Sequence, residues 1–363
     1  MKEISYELKK IFNYKMVILI GVLLIVDICK ILLQLDYDIV VGSRRVLRDD
    51  SIYREVSESV EGKISNETAK KIVSERQKYY DFIVQGGQYD EVSECYYSLY
   101  DTYKYEYEYA SYAADIVKQA SDNVSLFNNI NNSRKISENK YICKVFSGRK
   151  IDNYYDSEDY GWLFKYDFST LLILVFALVI SAYFYHKERT NKTYTLLYLS
   201  GKRRNIYVNK LIVMSAVILL VGGLLYITDF LVVGRELNLN GSSNPIYAIM
   251  KYSNSPLNVS IIGYYIFICL ARIFMCIVFS MLCVFVMSFL SGDIKPIVAG
   301  TTLLILFVLF GENIFKPNSF FIKPDMVYIF GHIFERYYMY MAGAIVSFII
   351  LMYLNYKRFK KWG

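Results

Sequence analysis

The apolar residues of this chain are gathered into runs of about 20, and that clustering restricts the fold more than any motif does. A run of roughly 20 apolar residues matches the hydrocarbon thickness of a bilayer. Inside lipid every backbone N–H and C=O needs a partner within the chain, so such a run is read as a helix. The runs cover approximately residues 16–35, 168–185, 211–233, 259–290, 297–310 and 337–356. Of 363 residues, 55% are hydrophobic and 17% aromatic, with a mean hydropathy of +0.26, too apolar for an ordinary soluble domain. The first run is too long for a signal peptide and no small-residue cleavage site follows it. The expected fold class is an all-α polytopic membrane protein. It has six transmembrane helices and a large, mainly helical extracellular domain between helices one and two.

Charge sets the orientation. The net charge is +7, yet residues 36–166 hold 18 Lys and Arg against 23 Asp and Glu, so the excess of base lies in the membrane region and its short loops. A long polar block crosses regardless of its charge, whereas short loops obey the positive-inside bias. With both termini inside, the inner segments carry 16 Lys and Arg and the two short outer loops carry 5, which favours cytoplasmic ends. Residues 1–15 place Ile4, Leu8, Ile11 and Phe12 near helical spacing among lysines, as expected of a surface helix leading into the first span (16–35).

The richest basic segment, 186–210, carries seven Lys and Arg, opposed only by Glu188. Its centre, Tyr194 to Leu199, is apolar enough to pack as a short interfacial helix, and Gly201 then turns the chain. From charge alone the segment is equally an ordinary positive-inside loop lying on anionic lipid.

Residues 36–166 are long enough to form a domain. Ser65 or Asn66 caps an expected helix from Glu67 to Val84, and Gly86-Gly87 ends it. A second helix, over about 89–118, aligns Val92, Tyr96, Leu99, Tyr103, Tyr107, Ala110, Ala114 and Val117 as its packing face. An antiparallel helical hairpin is expected, without strands. Cys95 and Cys143 are its only cysteines and outside the cell could pair.

Four ionisable residues interrupt the spans: Asp27, Lys30, Asp229 and Arg272. Charge at such depth marks either a protein-facing pair or a functional position. Asp27 and Lys30 are three apart and could form a local ion pair, while Arg272 needs a carboxylate, a carbonyl or water. Gly222-Gly223 permits close helix approach. Cys269, Cys276 and Cys283 repeat every seven residues along one helix side, the pattern of small packing residues and not of a metal site. The segment 311–336, with two prolines and many aromatics, reads as re-entrant or interfacial.

The basic segment resembles the loop between spans two and three of type-2 ABC transporter permeases. The matching residues are Glu188-Arg189 at the end of one span, Thr193, Leu196-Leu197, the turn from Gly201 through Arg203 and Arg204, and Lys210 at the next span, with Lys187 alongside. The resemblance extends to the order of spans and the surface helix, covering roughly 1–35 and 167–363. It implies that segment 186–210 is a coupling element for a separate ABC ATPase subunit. It also implies a homodimer or a heterodimer with a sister permease, in a bacterial plasma membrane. ATP and Mg would bind the ATPase, so no cofactor is expected on this chain. The family's cargoes imply an amphiphilic, antibiotic, peptide or lipid-like substrate moved outward.

Phosphate-loop, nucleophile-elbow and H-E-x-x-H patterns are absent, and the two histidines are far apart in sequence. No catalytic residue, metal site or nucleic-acid partner is therefore expected. The alternative is a non-transporting sensor or immunity protein that binds a peptide through its ectodomain.

Overall fold

The computed structural model describes residues 8, 11–41, 51–86, 88, 90–190, 203–237, 239–290, 294–310, 321–329 and 332–361. It is a multi-pass helical membrane protein: five helices are long and apolar enough to cross a bilayer, and a sixth, Ile294–Leu309, is apolar but shorter. The first long helix is α1 (Tyr14–Val41). A polar domain follows, built from α2 (Ser51–Val60), α3 (Asn66–Gln85), α4 (Glu91–Asn129), α5 (Ser133–Phe146) and the short α6 (Tyr160–Lys165). The chain then runs through α7 (Phe168–Thr190), α8 (Arg203–Glu236), α9 (Ile261–Met287), α10 (Ile294–Phe310) and α11 (Arg336–Lys361).

Side-chain contacts give the helix directions. Ser169 and Thr170 at the start of α7 meet Asp229 and Tyr226 near the end of α8, so α7 and α8 are antiparallel. Ser181 reaches Ser280 O, so α7 and α9 run the same way. Asn355 of α11 bonds Met281 O and Arg358 bonds Ser288 O, which sets α11 parallel to α9. Helix α9 is the centre of the bundle: 72% of its apolar window is buried, against 22% for α1 and 11% for α11. Gly222 of α8 makes this closeness possible, because a Cβ there would stand 2.8 Å from Ile273 Cγ1 on α9 and 3.3 Å from Ile173 Cδ1 on α7. Its neighbour Gly223 faces open space.

Helix α10 differs from the span expected over 297–310. Its 17 residues rise about 25 Å, short of the roughly 30 Å of hydrocarbon. Gly300 lies against Met287 at the end of α9, and the Phe307 ring packs at a tilt on Phe279, part-way back along that helix. The segment expected to be re-entrant or interfacial contains a β-hairpin, β3 (Met326–Ile329) with β4 (His332–Glu335).

The domain is helical as expected, with two local departures. Ser65 caps α3 through a bond from Thr68 N, and Gly86 closes it in the left-handed region at φ 69°, where glycine carries no Cβ penalty. A two-residue pair, β1 (Gly62–Lys63) with β2 (Asn153–Tyr154), adds a strand contact where none was expected. The packing stripe of α4 also shifts register. Tyr96, Leu99 and Tyr103 are buried as expected, but the stripe continues through Glu106, Tyr109, Ala113 and Ala120, while Tyr107, Ala110 and Ala114 face solvent. A buried carboxyl at 106 hides the true helical period from a reading that follows apolar residues.

The domain does not close its core alone. Tyr109, Ala113, Phe146 and Ile151 share one cluster with Tyr247 and Ala248, which belong to the connection between α8 and α9. That connection is tied down by Tyr105 to Tyr247 O (2.7 Å), Tyr109 to Ser253 O (2.9 Å) and Asn244 to Asn153 O (2.9 Å). Arg149 is buried between the rings of Phe146 and Tyr247 and donates to Ser255 O and Leu257 O. Two polar segments far apart in sequence thus form one cap at the end of the helices.

Candidate functional site: a charged cluster between the helices

Helix α1 meets the bundle along one stripe. Leu23, Asp27, Ile31 and Leu35 recur every four residues and are buried, whereas most of the intervening residues face outward. Asp27 therefore points at the protein because of its place in the period. Lys30 falls off the stripe and is exposed, so the local ion pair with Asp27 does not form; the carboxyl is held instead by Tyr166, just before α7, and Ser169 in its first turn.

Tyr166 Oη donates to Asp27 Oδ1 at 2.8 Å. Ser169 Oγ lies 3.2 Å from each Asp27 oxygen and 2.5 Å from Asp229 Oδ2, bridging α1 and α8. One helical turn earlier on α8, Tyr226 shares a 2.8 Å hydroxyl contact with Thr170, and Tyr265 of α9 donates to Tyr226 O. Asp27, Asp229 and Ser169 are all at or below 1% exposure.

Arg272 completes the cluster from α9. The chain breaks between α6 and α7 at Tyr166-Asp167, and a helix end leaves carbonyls without intrahelical donors. Arg272 fills that need: Nη1 donates to Tyr166 O at 2.9 Å and Nη2 to Phe164 O at 3.0 Å. Tyr166 is thus the hinge of the site, its carbonyl on the guanidinium and its hydroxyl on Asp27. The guanidinium Nε and Asp229 Oδ1 are buried with no hydrogen-bond partner.

Three of the four intramembrane residues singled out by sequence, Asp27, Asp229 and Arg272, come together here. Tyr166, Ser169, Thr170 and Tyr226 were not anticipated as site residues. Their signal was the polar recurrence at three- and four-residue intervals, Tyr166/Ser169/Thr170 and Tyr226/Asp229, inside otherwise apolar stretches.

The basic segment is described only at its margins. Lys187, Glu188 and Arg189 lie in the last turn of α7, and Arg203 and Arg204 open α8. Thr193, Leu196, Leu197 and Gly201, with the interfacial helix expected around them, lie outside the described residues. Lys210 is buried within α8 and is not a surface residue. Cys95 and Cys143 are not joined by a disulfide: Cys95 sits in the domain core, and Cys143 contacts Val117 O at 3.6 Å. Cys269, Cys276 and Cys283 are buried packing residues, and no group of side chains among the described residues is arranged to hold a metal ion.

In comparisons with known proteins, no family model, no curated protein and no solved structure matched this chain.

Proposed function

We propose that the chain is the membrane-spanning permease subunit of an ATP-driven exporter of the type-2 ABC class. It would work with a separate ATPase and with a second permease copy or sister chain. The observation that carries this reading is the path of α7 and α8. They flank the basic segment, lie against each other and against central α9, and hold Ser169 and Asp229 in contact at the opposite end. A force applied at 186–204 would be delivered through two long helices to the cluster that ties them to α1.

The arrangement of ends supports a six-crossing topology. The polar domain, the connection after α8 and the β3–β4 hairpin gather at one end, where Phe321 packs on Tyr264 at the start of α9. The start of α1, with Asn13 near Tyr183, and the end of α11 with its basic residues lie at the other. Gly300 of α10 lies beside Met287 at the basic end and Phe321 lies at the capped end, which supports the six-crossing reading. The positive-inside bias puts the basic end, with both termini, in the cytoplasm and the domain outside. The cargo expected from the family resemblance is amphiphilic, an antibiotic, peptide or lipid-like molecule.

The test is co-reconstitution with an ATPase encoded beside this chain, measuring ATP hydrolysis for wild type, Glu188→Ala and Arg203→Ala/Arg204→Ala. The exporter reading expects assembly and a hydrolysis rate that depends on the permease, with that dependence lost in the variants while helicity is unchanged. Failure of any ATPase to bind, or variants indistinguishable from wild type, overturns it in favour of a non-transporting sensor or immunity protein.

A further inference from the structure

We propose that Asp27 and Asp229 hold a single proton between them, forming with Arg272 an electrically neutral proton-binding site within the membrane. The inference stands on the cluster's geometry and does not depend on the transport reading.

The hydrogens can be followed one by one. Tyr166 has one hydroxyl hydrogen and directs it to Asp27 Oδ1. Ser169 also has one, and its 2.5 Å approach to Asp229 Oδ2 has the length of a hydroxyl donating to a carboxylate. Ser169 then turns only lone pairs towards Asp27, yet both Asp27 oxygens stand 3.2 Å away. If both acids were ionised, that approach would set oxygen against oxygen with no hydrogen between them. A proton on Asp27 restores the chain, with Asp27 donating to Ser169 and Ser169 donating to Asp229. The proton belongs to the pair, because displacing Ser169 would let it reside on either acid.

Charge gives the same answer independently. The ionisable groups around the site include Asp27 on α1, Tyr166 and nearby Asp167 in the break between α6 and α7, Tyr226 and Asp229 on α8, and Tyr265, Cys269, Arg272 and Cys276 on α9. The buried charges are the two acids and the guanidinium, and Arg272 spends Nη1 and Nη2 on main-chain carbonyls. Two ionised acids would leave the buried set at net negative charge, and one proton brings it to zero. Burial of an uncompensated charge in this setting is costly, and two carboxyls that share a site do not both ionise readily. A further sign of a missing hydrogen or counter-charge is Asp229 Oδ1, an unpartnered oxygen on a residue that is 1% exposed.

The experiment is infrared spectroscopy of the full chain in lipid nanodiscs at neutral pH, made by cell-free synthesis with and without carboxyl-labelled aspartate. The expected result is one protonated-carboxyl band per chain that moves on aspartate labelling, disappears in Asp27→Asn and persists in Asp156→Asn, a buried aspartate of the domain. Labelling the wild type separates these acids from the half-buried Glu61 and the buried Glu106 and Glu335, so the measurement holds even where a variant folds poorly. The proposal is overturned if no band responds to aspartate labelling, as would follow from a sodium ion in place of the proton, or if the responding band survives Asp27→Asn.

Discussion

Replacing Arg149 with alanine should detach the cap from the top of the helices. The side chain is buried at 6% exposure, donates to Ser255 O at 2.8 Å and Leu257 O at 3.3 Å, and lies 4.8 Å and 4.7 Å from the ring centres of Phe146 and Tyr247. Hydrogen bonds from a charged donor contribute about 1.5–3 kcal/mol each. A partly desolvated cation–π contact contributes about 0.5–2 kcal/mol. The bonds share one side chain, one of them is long, and water can enter the vacated space, so a loss of about 3 kcal/mol is expected and not the full sum. At 1.4 kcal/mol per tenfold, this raises the local opening of residues 244–258 about 100-fold. Hydrogen exchange read by mass spectrometry reports it directly, since Ile246, Ile249, Tyr252 and Ser255 donate backbone bonds within that connection. The amides in the middle of α9 serve as the internal reference and should not change. A rise of less than about fivefold, equivalent to about 1 kcal/mol, would refute the latch, as would an equal rise throughout α9, which would indicate global destabilisation.

Arg272→Met leaves the Phe164 and Tyr166 carbonyls without their donors and removes the positive charge beside the acid pair; a loss of about 3–5 kcal/mol is expected, seen as a lower detergent melting temperature. Gly222→Val should cost about 1–3 kcal/mol by forcing α8 from Ile273, while Gly223→Ala, facing open space, should be neutral or mildly stabilising; equal effects would refute the packing assignment. Glu106 lies on the buried stripe of α4, and burial, followed by the charges of Asp156 and Glu158, holds its carboxyl well above the usual range. Over the pH interval between its unfolded and folded values, the folded chain keeps a proton that the unfolded chain has lost, so domain stability falls as pH rises. Glu106→Gln should raise the melting temperature at neutral pH and flatten that dependence; a less stable variant would show that the carboxylate has a partner it needs.

Much of the membrane architecture was legible in the sequence because lipid imposes a strong rule. Long apolar runs must become helices, so the spans around α1, α7, α8, α9 and α11 could be placed to within a few residues. Local chemistry was equally direct at Ser65 and Gly86, where a capping hydroxyl and a residue without Cβ set the ends of α3. The chain also marked Asp27, Asp229 and Arg272 as exceptional, since charge inside an apolar run is visible without a structure.

Their partnership was decided only by tertiary packing. Asp27 and Lys30 are close in sequence, but the direction of one helical stripe turns the acid inward and leaves the lysine outside. Ser169 reads as a plain helix residue until α1 and α8 arrive on either side of it. The carbonyls that hold Arg272 exist only because the chain breaks between α6 and α7. The stripe of α4 departs from the apolar period at Glu106 for the same reason: periodicity follows apolar residues, and a buried carboxyl interrupts the pattern without interrupting the helix. Sequence determines where a helix must form, because that depends on local composition against the solvent. Which face is buried, and what an ionisable group meets there, depends on neighbours more than a hundred residues away.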